Sequence, residues 1–279
     1  MQIQTFADQI FFTTVRIDTA DGKGDYGAGT GFHFHHRIGD NQYLYLVTNK
    51  HVAFGGKEGR FTFHAGVNGT PEIGNVIPVN IGQHDWNKIW FGHPDPNVDI
   101  AICPLPEILE YAAKVSGKEV FLRTISSENI PSKAEWDGFD SIEEITFVGY
   151  PNGVWDTKNF LPVARRGTTA SPIAVDFEGT PRFIIDASVF GGSSGSPVFL
   201  MNEGSFGSRD GRFLIGSRFH FIGVVAAVFF RTQMNDLVAR PILTHSSIAV
   251  AQQEMIDLGI VFKANTVVET IEAALKSGR

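Results

Sequence analysis

Short runs of β-branched and aromatic residues, separated by turn-forming residues, recur along most of the chain. The first half contains QIFFTTVRID (9–18), YLYLVTN (43–49) and VDIAICPL (98–105). A second series extends from EEITFVGYP (143–151) to FLIGSRFHFIGVVAAVFFR (213–231). Runs of this length and spacing are typical of sandwiches or barrels and not of βαβ units. The sequence therefore predicts an all-β fold with two β-rich halves, at roughly 9–105 and 118–232.

Three segments have helical periodicity instead. PEILEYAAKVS (106–116) predicts a connector helix with Pro106 at or near its first turn. Residues 246–258 and 265–276 predict two C-terminal helices. Their expected caps are Ser246 or Ser247 and Asn265 at the N-termini and Gly259 after the first helix. The predicted layout is an N-terminal unit (1–105), a connector (106–117), a C-terminal unit (118–245) and a helical tail (246–279).

Composition narrows the classes of function. Apolar residues make up 43% of the 279 residues and charged residues 19%, which is the balance of a core-forming protein. The formal net charge of −7 repels phosphate backbones, so we expect no nucleic-acid partner. The longest apolar run, FIGVVAAVFF (221–230), is too short to span a bilayer and predicts a buried strand, so we expect no membrane partner either.

The chain has a single cysteine, Cys103, and therefore cannot form an intramolecular disulfide. Secreted domains often carry several disulfides, whereas proteins of reducing compartments rarely do. The first residues, MQIQTFADQIFFTTVRID, lack the basic and uninterrupted apolar segments of a secretory signal. Both observations predict a cytoplasmic protein.

The segment GGSSGSP (191–197) is the first candidate for chemistry. It lies between two apolar runs, and a serine in a tight glycine turn exposes its hydroxyl group. Its own N–H and that of the glycine two residues earlier can converge on one point, as an oxyanion hole requires. The sequence thus predicts Ser194 as a nucleophile, with the N–H groups of Gly192 and Ser194 as donors to an oxyanion.

A serine hydroxyl is a poor nucleophile at neutral pH and needs a base. His51 follows the apolar run LYLVTN and can project from its end. The base in turn needs an acid to fix its tautomer. Asp99 opens the apolar run DIAI, where a histidine N–H would satisfy its carboxylate. Asp95 is the nearest competitor, but Pro94 and Pro96 flank it and place it in a loop.

These segments together resemble the trypsin-like peptidase superfamily. GTGF (29–32), VTNKHV (47–52), DIAI (99–102) and GSSGSP (192–197) are similar to the family's strings around its histidine, aspartate and serine, in the same chain order. IDASVFGGSSGSP (185–197) and VGYP (148–151) resemble the single-chain bacterial members, namely the Deg or high-temperature-requirement proteases. The glutamyl endopeptidases are also similar. The resemblance covers about residues 9–232.

The resemblance implies two six-stranded antiparallel β-barrels of the chymotrypsin type, here followed by C-terminal helices. It also implies a serine endopeptidase that hydrolyses protein or peptide substrates through His51, Asp99 and Ser194. No metal or cofactor is expected, because this chemistry needs none.

The resemblance also implies where the substrate side chain before the cleaved bond (P1) would bind. By alignment to the family, Ser188 would form the base of this pocket. The strand that forms its wall would contain Ala226, Ala227 and Val228. The absence of an acid at Ser188 argues against lysine or arginine at P1. Members that cleave after glutamate or glutamine carry a histidine where this chain has Val225. A small or medium apolar P1 residue is therefore expected.

The chain departs from the family pattern at two positions. Ser193 replaces the usual aspartate or asparagine, and Ser196 replaces a glycine. Because Ser193 cannot pair with a newly released N-terminus, we expect no trypsin-style zymogen. Two alternatives stay open: a catalytically silent protease fold that binds other proteins, and a protease that stays latent until a regulatory partner protein binds.

Two further features have their own readings. The histidines of HFHH (33–36) could bind zinc, since residues i and i+2 of a strand face the same way. A polar strand face of a hairpin is the favoured interpretation. Cys103 is interpreted as a small buried apolar residue.

Overall fold

Two β-sheets dominate the structure, a computed structural model that describes residues 2–152, 154–237 and 248–278. The first sheet has nine strands: β1 Thr14–Ala20, β2 Tyr26–Ile38, β3 Asn41–Thr48, β4 Glu58–Val67, β5 Thr70–Ile81, β6 Phe91–Gly92, β7 Ala101–Pro104, β8 Glu119–Phe121 and β9 Ile125–Ser126. Its main path is β5-β4-β1-β2-β3-β7-β6, while β8 pairs with β4 and β9 pairs with β2.

The second sheet is a closed barrel of six strands in the order β10-β11-β12-β17-β16-β13. Its strands are β10 Glu144–Gly149, β11 Val163–Thr169, β12 Arg182–Asp186, β13 Pro197–Asn202, β16 Arg218–Leu237 and β17 Ile248–Lys263. A separate hairpin joins β14 Ser205–Gly207 to β15 Phe213–Ile215. The helices are α1 Phe6–Ile10, α2 Lys50–Ala53, α3 Gln83–Trp86, α4 Pro106–Ser116, α5 Lys133–Gly138 and α6 Asn265–Lys276.

This architecture confirms the predicted all-β, chymotrypsin-like class. The N-terminal sheet differs in detail from the predicted six-stranded barrel, because it has nine strands and one of its pairings, β2 with β9, is parallel. The strands β8 and β9 lie beyond the predicted connector and still belong to this first sheet. The predicted connector helix is α4, with proline at its start and Gly117 in a left-handed conformation at its end.

The helix predicted over 246–258 is wrong. Ser246 and Ser247, its expected caps, lie outside the described residues, while residues 248–258 belong to β17. Gly259, its expected end, pairs with Ile185 of β12 inside the barrel. In the closed barrel β17 lies between β12 and β16 and pairs with both. These strand pairings outweigh the local helical periodicity of the sequence.

The second C-terminal helix is confirmed as α6, but its expected cap is not. Asn265 is the first helical residue and makes no capping hydrogen bond; Ala264 precedes it in the cap position. The strand predicted over 9–18 also begins later, at Thr14. Before it lies α1, where Thr5 and Asp8 form a reciprocal capping box, a T-x-x-D signal that the strand prediction missed.

Three apolar clusters hold these elements. One fills the first sheet around Phe61 and Trp86, and another fills the closed barrel around Phe147 and Phe183.

The expected apolar strand over 221–230 belongs to β16, with residues 221–226 buried. No helix in the described ranges is long and apolar enough to cross a membrane.

The third cluster joins the two sheets. The ring of Phe221 from the barrel lies 5.3 Å from that of Phe32 and 5.8 Å from that of Phe34, both on β2. Val267 and Ile271 of α6 complete the cluster, and all five side chains are fully buried. Burial of one such side chain contributes about 1.5–3 kcal/mol, so this cluster fixes the two sheets relative to each other.

His33 and His64 are the two most deeply buried histidines of the first sheet. The His33 ring stacks on Phe63 at 5.9 Å, and His64 packs edge-on against Phe12 at 5.2 Å. Burial lowers the pKa of His33 and of His64 from 6.5 to about 4, because the charged imidazolium is poorly solvated there.

We therefore expect the protein to lose stability as the pH falls from about 6.5 towards 4. In that window the unfolded chain binds protons that the folded chain does not, at up to about 1.4 kcal/mol per pH unit for each histidine. His64→Leu should flatten the dependence of the unfolding free energy on pH, measured by urea unfolding. His84→Leu, at an exposed position, is the control. Parallel profiles for the wild type and His64→Leu would contradict the account.

Candidate active site

His51 and Asp99 meet at the edge of the first sheet. His51 lies in α2, one turn after β3, and its Nδ1 is 2.6 Å from Oδ2 of Asp99. The backbone N–H of His51 donates to the other carboxylate oxygen, Oδ1, at 3.1 Å. Because a carboxylate only accepts, Nδ1 carries the proton and Nε2 is left as the basic nitrogen. The imidazole is therefore held in the tautomer that can receive a proton.

Asn49 supports this pair, a role that the sequence did not predict. Its Nδ2 donates to the backbone carbonyl of Asp99 at 2.7 Å, and the residue is fully buried. The bond ties the end of β3 to the segment before β7. The only sequence signal for this role was a polar residue at the end of an apolar run, two residues before the candidate base.

Asp95, the competing acid, has a local role. Its carboxylate accepts from the N–H of Asn97 at 2.8 Å, and its carbonyl accepts from Nζ of Lys50 at 2.7 Å. Burial lowers the pKa of Lys50, while the carboxylates of Asp99 and Asp95 oppose that shift. The structure thus places Asp95 beside the site but pairs His51 with Asp99.

Ser194 lies in the glycine–serine loop, residues 191–196, between β12 and β13. Its carbonyl accepts from the N–H of Thr30 on β2 at 2.8 Å, which brings this loop to the first sheet. The neighbouring Gly29 is packed against Val52, the residue after His51. Two adjacent residues of β2 thus contact the candidate nucleophile and the residue after the candidate base.

The hydroxyl of Ser194 is turned towards the barrel. Its Oγ donates to the carbonyl of Ala226 on β16 at 3.3 Å, and within the described residues it forms no hydrogen bond with His51. In ligand-free sites such bonds are often long or absent and form only when substrate is bound. A rotation about the Cα–Cβ bond of Ser194 would redirect the hydroxyl.

The peptide between Gly191 and Gly192 is held in one direction. The Gly191 carbonyl accepts from the N–H of Asn152 at 2.7 Å. A trans peptide directs its N–H opposite to its carbonyl, so the Gly192 N–H is directed away from Asn152. Gly192 has φ +85°, and a Cβ there would lie 2.4 Å from the Tyr150 carbonyl oxygen, so only glycine fits.

The peptide between Ser193 and Ser194 is held in the same way. The Ser193 carbonyl accepts from the N–H of Ser196 at 3.0 Å, which directs the Ser194 N–H to the opposite side. In the part of the chain that the structure describes, the N–H groups of Gly192 and Ser194 have no acceptor. Both predicted donors are therefore available to a bound oxygen atom.

The two departures from the family pattern are buried. The Ser196 side chain packs against Gly149. It fits there because Gly149 has no side chain: an added Cβ would lie 2.0 Å from the Ser196 hydroxyl oxygen. The hydroxyls of Ser193 and Ser196 have no hydrogen-bond partner among the described residues.

The predicted P1 pocket residues lie on two segments, and Gly259 contacts both of them. Ser188 follows β12 and is partly exposed, and Ala226, Ala227 and Val228 follow one another on β16. Val228 pairs with Gly259 of β17.

Gly259 also lies against the residue after Ser188. An added Cβ at Gly259 would be 3.0 Å from the Val189 side chain, so Gly259 leaves space between the two segments. The sequence pattern did not indicate this role, because it predicted a helix end at Gly259. Val225 is fully buried in the barrel core.

The zinc alternative at HFHH has no support. His33 is buried against Phe63, while His35 Nδ1 lies 2.9 Å from Oγ1 of Thr124. Among the side chains that the structure describes, at residues 2–152, 154–229 and 256–278, no three from His, Cys, Asp or Glu converge to hold a metal ion. Cys103 is buried and unpaired, as expected of a small apolar residue, and burial raises the pKa of its thiol.

Comparison with known proteins is consistent with the resemblance noted above. The sequence profile described as a trypsin-like peptidase domain matches residues 29–206, a span that contains His51, Asp99 and Ser194. No curated protein sequence matches the chain significantly.

Three solved structures are similar to this chain at low sequence identity. A protease from M. tuberculosis in its active form is 17% identical, with 94% of this chain and 81% of that chain covered and a TM-score of 0.44. The scabies mite inactivated protease paralogue is 14% identical, with 96% and 97% covered and a TM-score of 0.49. The tobacco etch virus protease complexed with product is 14% identical, with 82% and 73% covered and a TM-score of 0.45.

We expect Gly192→Ala to destabilise the protein more than Gly69→Ala. Both glycines have left-handed φ values, +85° and +71°, and alanine there costs about 1–2 kcal/mol. A Cβ at Gly69 meets nothing within 4 Å, so only Gly192→Ala adds a steric clash. Urea unfolding should show a further loss of about 1 kcal/mol or more for Gly192→Ala. Equal losses would contradict the close packing of this loop.

Proposed function

Because the chain belongs to the trypsin-like peptidase domain family, we propose that it is a serine endopeptidase with His51, Asp99 and Ser194 as its catalytic triad. The observation that carries the proposal is the 2.6 Å contact between His51 and Asp99 beside a loop that leaves the N–H groups of Gly192 and Ser194 free. Its substrates would be proteins or peptides.

The proposed reaction has two halves. Nε2 of His51 takes the hydroxyl proton as Ser194 Oγ attacks the peptide carbonyl carbon, and the carbonyl oxygen becomes an oxyanion that accepts from the N–H groups of Gly192 and Ser194. The intermediate collapses when the C–N bond breaks and His51 gives its proton to the leaving amine. Water, deprotonated by His51, then attacks the acyl ester and releases Ser194 with its proton restored.

The proposed P1 preference is a small or medium apolar side chain. Ser188 carries no charge, and Val228 beside Gly259 offers an apolar wall. The buried Val225 stands where glutamate- and glutamine-cleaving members carry a histidine. A pocket that offers no counter-charge disfavours charged P1 side chains, because their desolvation would not be compensated.

A partner-activated protease, or a silent one, is the second candidate. The bond from Ser194 Oγ to the Ala226 carbonyl favours it, because the hydroxyl is directed away from its base in the free chain. In this version a regulatory partner protein would shift Ser194 to the reactive rotamer. We also propose a reducing, cytoplasmic location, which the unpaired, buried Cys103 supports.

The first test is covalent labelling with a fluorophosphonate probe. We expect the folded wild type to be labelled near neutral pH and Ser194→Ala to be unlabelled, while Ser141→Ala, a change at an exposed serine, is labelled like the wild type. Asp99→Asn should slow labelling by about 10³-fold or more, because the imidazole loses its tautomer control. A folded wild type that stays unlabelled would contradict the active-enzyme proposal and favour the second candidate.

The second test is cleavage of a peptide library, with Ser194→Ala as the background control. We expect cleavage after alanine, valine or leucine and little after lysine, arginine or glutamate, because the pocket residues are neutral. In hydrophobic pockets one methylene group changes kcat/KM by about 10- to 200-fold, so the profile should be sharp. Cleavage chiefly after charged residues would overturn the P1 assignment.

A further inference from the structure

Thr30 joins the first sheet to the loops around the candidate nucleophile. It lies on β2, in the GTGF segment, and is fully buried. We propose that Thr30 is a positioning residue that holds the oxyanion-binding loop in its working conformation, an inference that rests on the proposed function.

The Thr30 hydroxyl connects two loops of the second half of the chain. It donates to the Gly192 carbonyl at 2.9 Å and accepts from the N–H of Tyr150 at 2.9 Å. A hydroxyl has one proton, so its donor capacity is used by the Gly192 carbonyl. Tyr150 lies two residues before Asn152, whose N–H holds the Gly191 carbonyl. The Thr30 side chain thus bonds to the loop that contains Gly192 and to the segment at Tyr150 that leads to Asn152.

The Thr30 backbone extends the same connection. Its N–H donates to the Ser194 carbonyl at 2.8 Å, and its carbonyl accepts from Oγ1 of Thr48 at 2.7 Å. The Ser193–Ser194 peptide, which carries the Ser194 N–H, therefore has an anchored carbonyl on each side, at Gly192 and at Ser194. Both anchors come from Thr30.

Local bonds fix only part of this loop: the Ser193 carbonyl accepts from the N–H of Ser196, and the N–H of Ser193 donates to the Phe190 carbonyl, both at 3.0 Å. The Gly192 carbonyl has no partner within the loop. Glycine adopts positive and negative φ with similar ease, so the consecutive glycines Gly191 and Gly192 permit their peptides to rotate. The hydrogen bond from Thr30 Oγ1 restrains the carbonyl side of the Gly192–Ser193 peptide. Without it the Gly192 carbonyl is buried without its donor, and rotation of the peptide towards water relieves that cost.

The space around Thr30 is also closely filled. An added Cβ at Gly149 would lie 2.7 Å from Thr30 Oγ1, and one at Gly195 would lie 1.9 Å from the Thr30 carbonyl oxygen. Valine has the shape of threonine and fits this space, so Thr30→Val removes the two side-chain bonds and little else. Thr30→Ser keeps the hydroxyl and is the conservative rescue.

The matched control is Thr169 on β11 of the closed barrel, whose hydroxyl makes the same two kinds of hydrogen bond. Its hydroxyl accepts from the N–H of Glu143 at 2.9 Å and donates to the Ser141 carbonyl at 3.2 Å, and the residue is 1% exposed. Thr169→Val therefore reports the general cost of losing a buried, doubly bonded hydroxyl.

The experiment measures three quantities for the wild type, Thr30→Val, Thr30→Ser and Thr169→Val. They are the rate of fluorophosphonate labelling, the separate kcat and KM for a cleaved peptide, and amide hydrogen exchange over residues 190–197. We expect Thr30→Val to lower kcat and the labelling rate by about 10- to 100-fold with little change in KM, and to speed exchange in this loop. Thr30→Ser and Thr169→Val should resemble the wild type in all three.

The outcomes separate this inference from the proposed function. A wild type that is neither labelled nor active contradicts the active-enzyme proposal, and hydrogen exchange still decides whether Thr30 holds the loop. A labelled wild type with equal kcat, labelling and loop exchange in Thr30→Val overturns the positioning role. Equal losses in Thr30→Val and Thr169→Val overturn it as well, since they would reflect only reduced stability.

Discussion

The packing of Phe221 against Phe32 and Phe34 is the contact on which the site depends. The candidate base and acid lie on the first sheet, and the candidate nucleophile lies on a loop of the closed barrel, so neither sheet contains the site alone. The aromatic contact is buried, and residues of α6 belong to the same cluster. Because the candidate base and nucleophile lie on different sheets, relative movement of the sheets would change the distance between His51 and Ser194.

Within that frame the glycine–serine loop is specified by hydrogen bonds to its carbonyl groups. The carbonyls of Gly191, Gly192, Ser193 and Ser194 each accept one, from Asn152, Thr30, Ser196 and Thr30 respectively. A planar peptide with a fixed carbonyl has a fixed N–H, and two of these N–H groups are the candidate donors to the oxyanion. The loop can therefore be both rich in glycine and fixed in conformation.

The sequence predicted what depends on local pattern. The alternation of apolar and turn residues predicted the β-rich halves, and the strings around His51, Asp99 and Ser194 predicted the family. It failed where a distant partner decides the outcome. Residues 248–258 look helical alone, but they are a strand because the barrel needs one between β12 and β16.

The supporting residues of the site were missed for the same reason. Asn49 and Thr30 look like ordinary polar residues in apolar strings, and their roles come from bonds to residues 50 and 162 positions away. Gly259 gains its role from side chains on β12 and the segment after it. Such roles depend on which segments meet, and that information is absent from local periodicity.

The central claim is that Ser194 reacts while two backbone N–H groups stabilise the oxygen of its target. A crystal structure of the protein after reaction with a peptide boronic acid tests it most directly. The account predicts a covalent bond from Ser194 Oγ to boron, with one boronate oxygen about 2.7–3.1 Å from the nitrogen atoms of Gly192 and Ser194. A boronate bound elsewhere, or bound to Ser194 with its oxygen atoms directed away from both nitrogens, would contradict it.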